Sequence, residues 1–282
     1  MLTIFNSDLT NLNSFQAHTD VIERIKQSPF TNQYVATCSN DFTVKIWDPN
    51  NNWNLIREYF GHFMGVYSLE WINENTIASG SLDRTLQIWS ISTGFMQRKI
   101  NLVDWVVSFK LLSNGYYLAA GTWYNINIYN INTGGLIFTL IGHQNYINDL
   151  VLINSVTLAS ASMDKTIRIW DLTKQNAKKF ILNGHTASVY SLKVISSSIL
   201  ASGSWDTTIK LWNTTSGTLI RTLTGHKDYI YWSLDLFTNG KTLASGSLDQ
   251  TIKLWNWSTG QCLNSINTSS SIFSLEIIKS IL

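Results

Sequence analysis

The sequence predicts an all-β fold, a β-propeller in which one small unit recurs around a ring. The segment ASGSLDRTLQIW, which ends at Trp89, returns nearly unchanged in segments ending at Trp170, Trp212 and Trp255, and more loosely in one ending at Trp47. With Tyr129 closing a degenerate copy, these aromatic residues follow one another at intervals of 40–43 residues, a period typical of propeller blades. No stretch of a dozen residues shows a helical period.

Each unit predicts four antiparallel strands in sequence order. In the second unit, residues 66–71 (VYSLEW) alternate in polarity, and the runs TIASGS, TLQIW and FMQRKI follow. β-Branched and aromatic residues fill these runs, whereas Gly, Asn, Asp and Ser separate them, as expected of short strands joined by turns. Because one such sheet cannot bury its own apolar face, neighbouring units must stack.

The two ends of the chain predict one further unit, so we expect a single domain over residues 1–282 with seven blades. Residues 2–6 and 9–15 look like a third and a fourth strand, and residues 272–277 look like a first strand. A closing blade is therefore predicted from residues 1–15 and 267–282. The spacing around the ring leaves this blade about ten residues short, so we expect its second strand to be short. Closure would remove exposed sheet edges.

Two dipeptide marks recur in the units. A Gly-His pair, or Ala-His in the first unit, opens five units, at His18, His62, His143, His185 and His226. Trp-Asp ends two of them, at Asp48 and Asp171. In these features the chain resembles the WD-repeat family of β-propellers. The resemblance implies that a turn Asp bonds the His, and that a Ser links this His to the indole of the closing Trp.

Every unit with a His also contains a Ser or Thr and an Asp at matching positions, a combination that could suggest hydrolytic triads. The five histidines of the chain all occupy this one position, so none is left for general-base catalysis. There is no Cys-x-x-Cys and no His pair with zinc spacing. We therefore predict a structural role for these residues, no enzymatic activity, no metal and no cofactor.

The third unit departs from the pattern. Leu102 stands in place of the His, Trp123 in place of the Asp, and Tyr129 in place of the Trp. One interpretation is a repeat that has diverged in sequence, in which apolar packing replaces the hydrogen bonds between polar side chains. The other is an altered loop that shapes a binding site.

Composition limits the partner classes and the compartment. The net charge is only +2 and no block of like charges occurs, which argues against nucleic acid as the main partner. Cys38 and Cys262 lie in different units and are expected to be free thiols, as in a reducing compartment. The chain shows neither a signal peptide nor an apolar run long enough to span a membrane. We predict a cytoplasmic protein, with the nucleus as the alternative.

The resemblance implies partner binding on the face that bears the His and Asp loops. The variable positions there are rich in aromatic residues, which favours protein contacts because Tyr and Trp bury much area with little entropy loss. We predict a non-enzymatic scaffold, itself monomeric, that binds protein or peptide partners within a multi-protein complex. The alternative is a reader of a modified Lys or Arg side chain, or of another small ligand, in an aromatic cage beside Glu23 or Asp104. The predicted partner-binding residues are Tyr67, Trp105, Tyr146, Tyr190, Trp205, Tyr229 and Trp232.

Overall fold

The computed structural model describes residues 2–5, 11–31, 33–113, 115–174 and 177–278, and the regular elements in these ranges are β-strands. The first two strands, β1 (Leu2–Phe5) and β2 (Asn11–Phe15), form a two-stranded antiparallel sheet. The strands that follow form six antiparallel sheets of four strands each, in which sequence neighbours pair. These sheets are the blades, and they confirm the predicted all-β propeller architecture.

The first three blades have the following strands. Blade one comprises β3 (Ile22–Gln27), β4 (Val35–Ser39), β5 (Thr43–Asp48) and β6 (Asn54–Phe60). Blade two comprises β7 (Val66–Asn73), β8 (Thr76–Ser81), β9 (Thr85–Ser90) and β10 (Met96–Asn101). Blade three comprises β11 (Ser108–Leu111), β12 (Tyr117–Gly121), β13 (Asn125–Asn130) and β14 (Leu136–Ile141).

The next three blades repeat the arrangement. Blade four comprises β15 (Ile147–Asn154), β16 (Thr157–Ser162), β17 (Ile167–Asp171) and β18 (Ala177–Leu182). Blade five comprises β19 (Val189–Ser196), β20 (Ile199–Ser204), β21 (Ile209–Asn213) and β22 (Leu219–Leu223). Blade six comprises β23 (Leu234–Leu236), β24 (Thr242–Gly246), β25 (Thr251–Asn256) and β26 (Gln261–Asn267).

The apolar core lies between successive blades. One cluster joins Ala36 and Ile46 of blade one to Leu69 and Trp71 of blade two, all buried. The glycines of the repeated ASGS segment permit this close approach. A Cβ atom added to Gly203 would lie only 2.6 Å from Ile230 of the next unit. Each blade therefore buries its face against its neighbour, as the repeat predicts.

The ring joins blade six back to blade one through residues 271–278. The Ile272 amide donates to the Ser247 carbonyl oxygen at 3.0 Å, and a parallel β-bridge pairs Ser274 with Trp232. On the other side, the Ile25 amide donates to Ser274 Oγ at 3.2 Å. This segment thus contacts both flanking blades.

The predicted count of seven four-stranded blades is not confirmed. The described residues contain six such blades, together with the two-stranded sheet of β1 and β2 and the extended segment 271–278. The predicted first strand at residues 272–277 is represented in the described residues by a single parallel bridge, between Ser274 and Trp232. The expected short second strand falls at residues 279–282, outside the described residues.

Candidate partner-binding face

Two sets of connections meet at one end of the ring. Antiparallel strands in sequence order alternate in direction, so the loop that enters each blade and the turn between its second and third strands share an end. We call this end the loop face. It comprises residues 16–21, 40–42, 61–65, 82–84, 102–107, 122–124, 142–146, 163–166, 183–188, 205–208, 224–233 and 247–250.

A buried polar network fixes the loop face of blade two. The Trp89 indole N–H donates to Ser79 Oγ at 2.8 Å, and Ser79 Oγ lies 2.8 Å from His62 Nε2. His62 Nδ1 lies 2.8 Å from Asp83 Oδ2. All these polar atoms are satisfied when Ser79 donates to Nε2 and Nδ1–H donates to the carboxylate. The network therefore ties the entry loop, the second strand and the following turn together.

The same network recurs in four other blades, with the corresponding contacts between 2.7 and 2.9 Å, which confirms the expected structural role. Its members are His18, Thr37, Asp41 and Trp47 in blade one; His143, Ser160, Asp164 and Trp170 in blade four; His185, Ser202, Asp206 and Trp212 in blade five; and His226, Ser245, Asp249 and Trp255 in blade six. The five His side chains are at most 1% exposed, so a substrate on the surface does not reach them.

Burial determines the charge of these networks. Burial lowers the pKa of His18, His185 and His226, and the neighbouring carboxylates only partly oppose this effect. Burial disfavours the charged form of Asp41 and Asp83, but hydrogen bonds from Thr43 and His62 outweigh it and lower the pKa of both carboxyl groups to about 2. Neutral His beside ionised Asp leaves a net negative charge beneath the loop face.

Blade three replaces this network with apolar and aromatic packing. Leu102 and Tyr129 are buried at the positions of the His and the Trp. Trp123, at the position of the Asp, contacts Tyr146 at a centroid distance of 4.9 Å and Trp105 at 5.7 Å. The blade-three cluster, as we call it, consists of Trp105, Trp123, Tyr124 and Tyr146. The departure in sequence therefore corresponds to an aromatic surface between blades three and four.

A second aromatic group, the axial cluster, surrounds the mouth of the ring. Trp205 lies between Tyr190 and Tyr229 and stacks on them at centroid distances of 4.8 and 4.9 Å. Tyr231 meets Tyr190 edge-on at 4.7 Å. The members are Tyr67, Tyr190, Trp205, Tyr229, Tyr231 and Trp232.

Beneath the axial cluster, side chains cross the axis and close the channel. The Trp232 indole N–H donates to the Asn148 carbonyl oxygen at 2.9 Å. The Arg24 guanidinium lies 4.5 Å from the centre of the Trp232 ring and donates to Asp149 Oδ1 at 3.2 Å. Below them lies a cavity of about 230 Å³, lined by first-strand residues of all six blades and by residues 274–276.

The predicted partner-binding residues divide into two groups by exposure. Tyr190 and Trp232 are buried at 5% and 6% exposure and support the surface from below. The other five are accessible, and Tyr229 is the most exposed of the seven at 41%. They are Tyr67, Trp105, Tyr146, Trp205 and Tyr229.

Several residues of the site were not predicted as binding residues. Trp123 and Tyr124 complete the blade-three cluster, and Tyr231 completes the axial cluster. The departure of the third unit was the sequence signal for Trp123. Tyr231 lies in a run with one extra residue, which prevented assignment of its individual positions. Nothing in the sequence indicated that Arg24 crosses the ring.

Comparison with known proteins identifies the family. The sequence model described as "WD domain, G-beta repeat" matches residues 9–48, 53–90, 134–171, 176–213 and 217–256. The chain belongs to this WD-repeat family. Residues 91–133, which contain most of blade three, fall between the matched repeats. The irregular blade of the structure is thus also the one that departs from the family pattern.

Sequence similarity to curated proteins covers about half of this WD-repeat chain. Nuclear distribution protein nudF of Aspergillus niger is 29% identical over 163 residues, which cover 49% of this chain and 37% of that protein. Nuclear distribution protein PAC1-1 of Uncinocarpus reesii is 32% identical over 163 residues, 49% of this chain and 36% of that protein. Protein SPA1-RELATED 4 of Arabidopsis thaliana is 31% identical over 147 residues, 18% of its length. The match thus spans little more than a third of the fungal relatives.

Three further features bear on the predictions about metal binding, membrane spans and free thiols. Within the described ranges, no cluster of three or more His, Cys, Asp or Glu side chains is arranged to hold a metal ion. No helix in the part of the chain that the structure describes is long and apolar enough to cross a membrane. Cys38 is a buried free thiol and Cys262 an exposed one.

Proposed function

We propose that this WD-repeat propeller is a non-enzymatic scaffold that binds a protein or peptide partner on its loop face. The observation that carries the proposal is the two aromatic clusters on that face. They place large, rigid rings at the surface, and such residues provide much of the binding energy in protein interfaces. The histidines that could suggest catalysis are buried, with ring nitrogens held by Ser or Thr and by Asp.

The blade-three cluster and the axial cluster offer separate anchor points. Trp105 and Tyr146 are nearly parallel, with an interplanar angle of 15° at 6.4 Å. Trp205 is stacked between two tyrosines. Rings that already contact one another lose little side-chain entropy on binding, so they suit a preorganised interface.

The experiment compares two double Trp variants in capture from native lysate followed by mass spectrometry. Trp105→Ala with Trp205→Ala should abolish capture of the partners bound by the unchanged chain. Trp53→Ala with Trp257→Ala is the matched control, because these half-buried indoles lie in third-to-fourth-strand turns at the opposite end of the ring. Equal capture by both variants, each with a thermal midpoint near that of the unchanged chain, would refute the proposal.

Two fungal relatives are named for nuclear distribution. We infer that this chain acts through protein complexes rather than through a reaction of its own. We further propose a monomeric propeller in the cytoplasm, without nucleic acid or membrane as partner. Size-exclusion chromatography with light scattering tests the monomer, and a fluorescent fusion tests the compartment.

We also infer that the ring is one domain with a seventh, shortened blade, built from β1, β2 and residues 271–278. The axial cavity supports this inference, because residues 274–276 line it beside the first strands of the six blades. Glu276 Oε1 accepts a hydrogen bond from the Gln27 amide at 3.2 Å. Ser274→Ala with Glu276→Ala should therefore speed hydrogen exchange of the Ile25 and Gln27 amides. Unchanged exchange at both amides would exclude this closure.

Recognition of a modified Lys or Arg is the second candidate, and the position of Glu23 favours it. Glu23 Oε1 accepts from Asn40 Nδ2 at 2.7 Å, and the described residues provide no hydrogen bond to its other oxygen. However, Tyr190 and Trp205 lie against each other, so a cage would require these rings to separate. Calorimetric titration with a trimethyl-lysine peptide and its unmethylated form distinguishes the two candidates. A cage requires at least tenfold tighter binding of the methylated form.

A further inference from the structure

The charge of the loop face identifies the kind of partner that fits it. We propose that the segment docking on the aromatic clusters is cationic, with Lys or Arg side chains placed beside Asp20, Asp104 and Asp228; this proposal rests on the proposed function.

These three aspartates occupy equivalent places in the entry loops. Each Oδ1 accepts the amide of the next residue, at 2.7 Å from Val21, 2.8 Å from Trp105 and 2.7 Å from Tyr229. This hydrogen bond holds each carboxylate beside the next residue in the sequence. In two of the three loops that residue, Trp105 or Tyr229, is an aromatic member of the clusters. The three side chains are exposed or half-buried, so their negative charge faces solvent.

The turn aspartates add to this charge. The loop face, as defined above, carries eight aspartates against three basic residues, Arg84, Lys165 and Lys227. Counted with neutral histidines, the formal charge of the face is −5, whereas that of the whole chain is +2. The remainder of the chain therefore has +7. A molecule with this separation of charge attracts cationic partners to one end.

The carboxylates act on the same rings that would contact the partner. Burial, followed by the charge of Asp104, raises the pKa of Tyr146. Burial and then Glu23, with a smaller effect of Asp228, raise the pKa of Tyr231. Aromatic faces beside carboxylates favour Lys and Arg, which gain both cation–π and ionic attraction. Arg24, which lies beneath Trp232, is paired with Asp149, so it does not cancel this charge.

The charge test uses labelled peptides as probes. Fluorescence anisotropy would compare a 12-residue peptide carrying four Arg or Lys among Gly, Ser and Leu with the same peptide carrying Gln at those positions. We expect the cationic peptide to bind about tenfold more tightly at low salt, with the advantage shrinking as added salt screens the exposed carboxylates. Equal affinity of the two peptides would overturn the proposal, as would tighter binding of a single-stranded oligonucleotide.

Matched variants test whether the carboxylates of the loop face are responsible for binding of the cationic peptide. Asp104→Asn with Asp228→Asn keeps the amide caps, because Asn145 caps Tyr146 in the same way in blade four. This variant should bind the cationic peptide about fivefold more weakly. Asp48→Asn with Asp171→Asn removes two charges from capping aspartates at the opposite end and should leave the affinity unchanged. Equal affinity of the two variants would overturn the proposal.

The result of the peptide test can be distinguished from the result of the capture experiment that tests the proposed function. If Trp105→Ala with Trp205→Ala loses its native partners while both peptides bind alike, the scaffold stands and only the charge of the partner is wrong. If the Trp variant also captures its partners unchanged, both proposals fail.

Discussion

Arg24 and Asp149, which are 125 residues apart in the chain, meet across the axis of the ring. Arg24 Nη2 donates to Asp149 Oδ1 at 3.2 Å and to the Asn148 carbonyl oxygen at 3.2 Å. Both side chains are at most 15% exposed. The second oxygen of Asp149 accepts the Leu192 amide at 2.8 Å. One ionic contact therefore connects the first strands of blades one, four and five.

This contact predicts strong coupling between the two residues. Arg24→Met leaves Asp149 as a buried charge and should lower the free energy of unfolding by about 3–5 kcal/mol. Asp149→Asn leaves the guanidinium without its counterion and should cost a similar amount. The double variant should lose less than the sum of the two, by at least about 1 kcal/mol. Urea denaturation of the unchanged chain, the two single variants and the double variant measures these free energies of unfolding. Simple additivity of the two losses would contradict the coupling.

The serine of the repeated network is predicted to be a major source of stability. Ser202→Ala removes the acceptor of the Trp212 indole and the partner of His185, so it should cost about 2–4 kcal/mol. Ser202→Thr should lose less, because Thr37 makes the same contacts in blade one. Ser198→Ala, at an exposed position of the same blade, serves as the control and should change stability by no more than about 0.5 kcal/mol.

Blade three is predicted to exchange its amide hydrogens faster than the other blades. It lacks the hydrogen-bonded His, Ser or Thr, Asp and Trp network that joins loop to strand in the other five blades. Hydrogen exchange should show less protection for β12 and β13 than for β16, β17, β20 and β21. Equal protection would mean that aromatic packing stabilises this blade as well as the polar network does.

Acid should destabilise the propeller through its turn aspartates. Burial opposes ionisation of Asp83, but hydrogen bonds lower its folded-state pKa to about 2, whereas its ordinary value is 3.8. Between pH 4 and pH 2 the unfolded chain thus binds more protons at this group, so the stabilisation present above pH 4 is lost as pH falls. Asp83→Asn should be less stable at pH 7 but lose less stability across that interval. A parallel loss in both proteins, measured by chemical denaturation, would exclude this linkage.

Strand positions and the polar networks were accessible from the sequence because both depend on local spacing. A strand needs a run of alternating residues, and a network needs His, Ser, Asp and Trp at fixed offsets within one unit. For example, the predicted strand at residues 76–81 is β8, and the four residues placed together in blade two meet at 2.8 Å. Individual positions in the run 229–232 could not be assigned, because the extra residue in blade six breaks the offset.

By itself the sequence determined the repeating blade, the position of each histidine in a structural network and the aromatic character of the loop face. Those properties follow from residue type and period within about 40 residues. Only the tertiary structure decided which aromatic rings are buried, that Arg24 and Trp232 close the axis, and that residues 271–278 bridge blades six and one. These contacts join residues from distant blades, and the direction in which a side chain points across the axis depends on how the whole ring is packed.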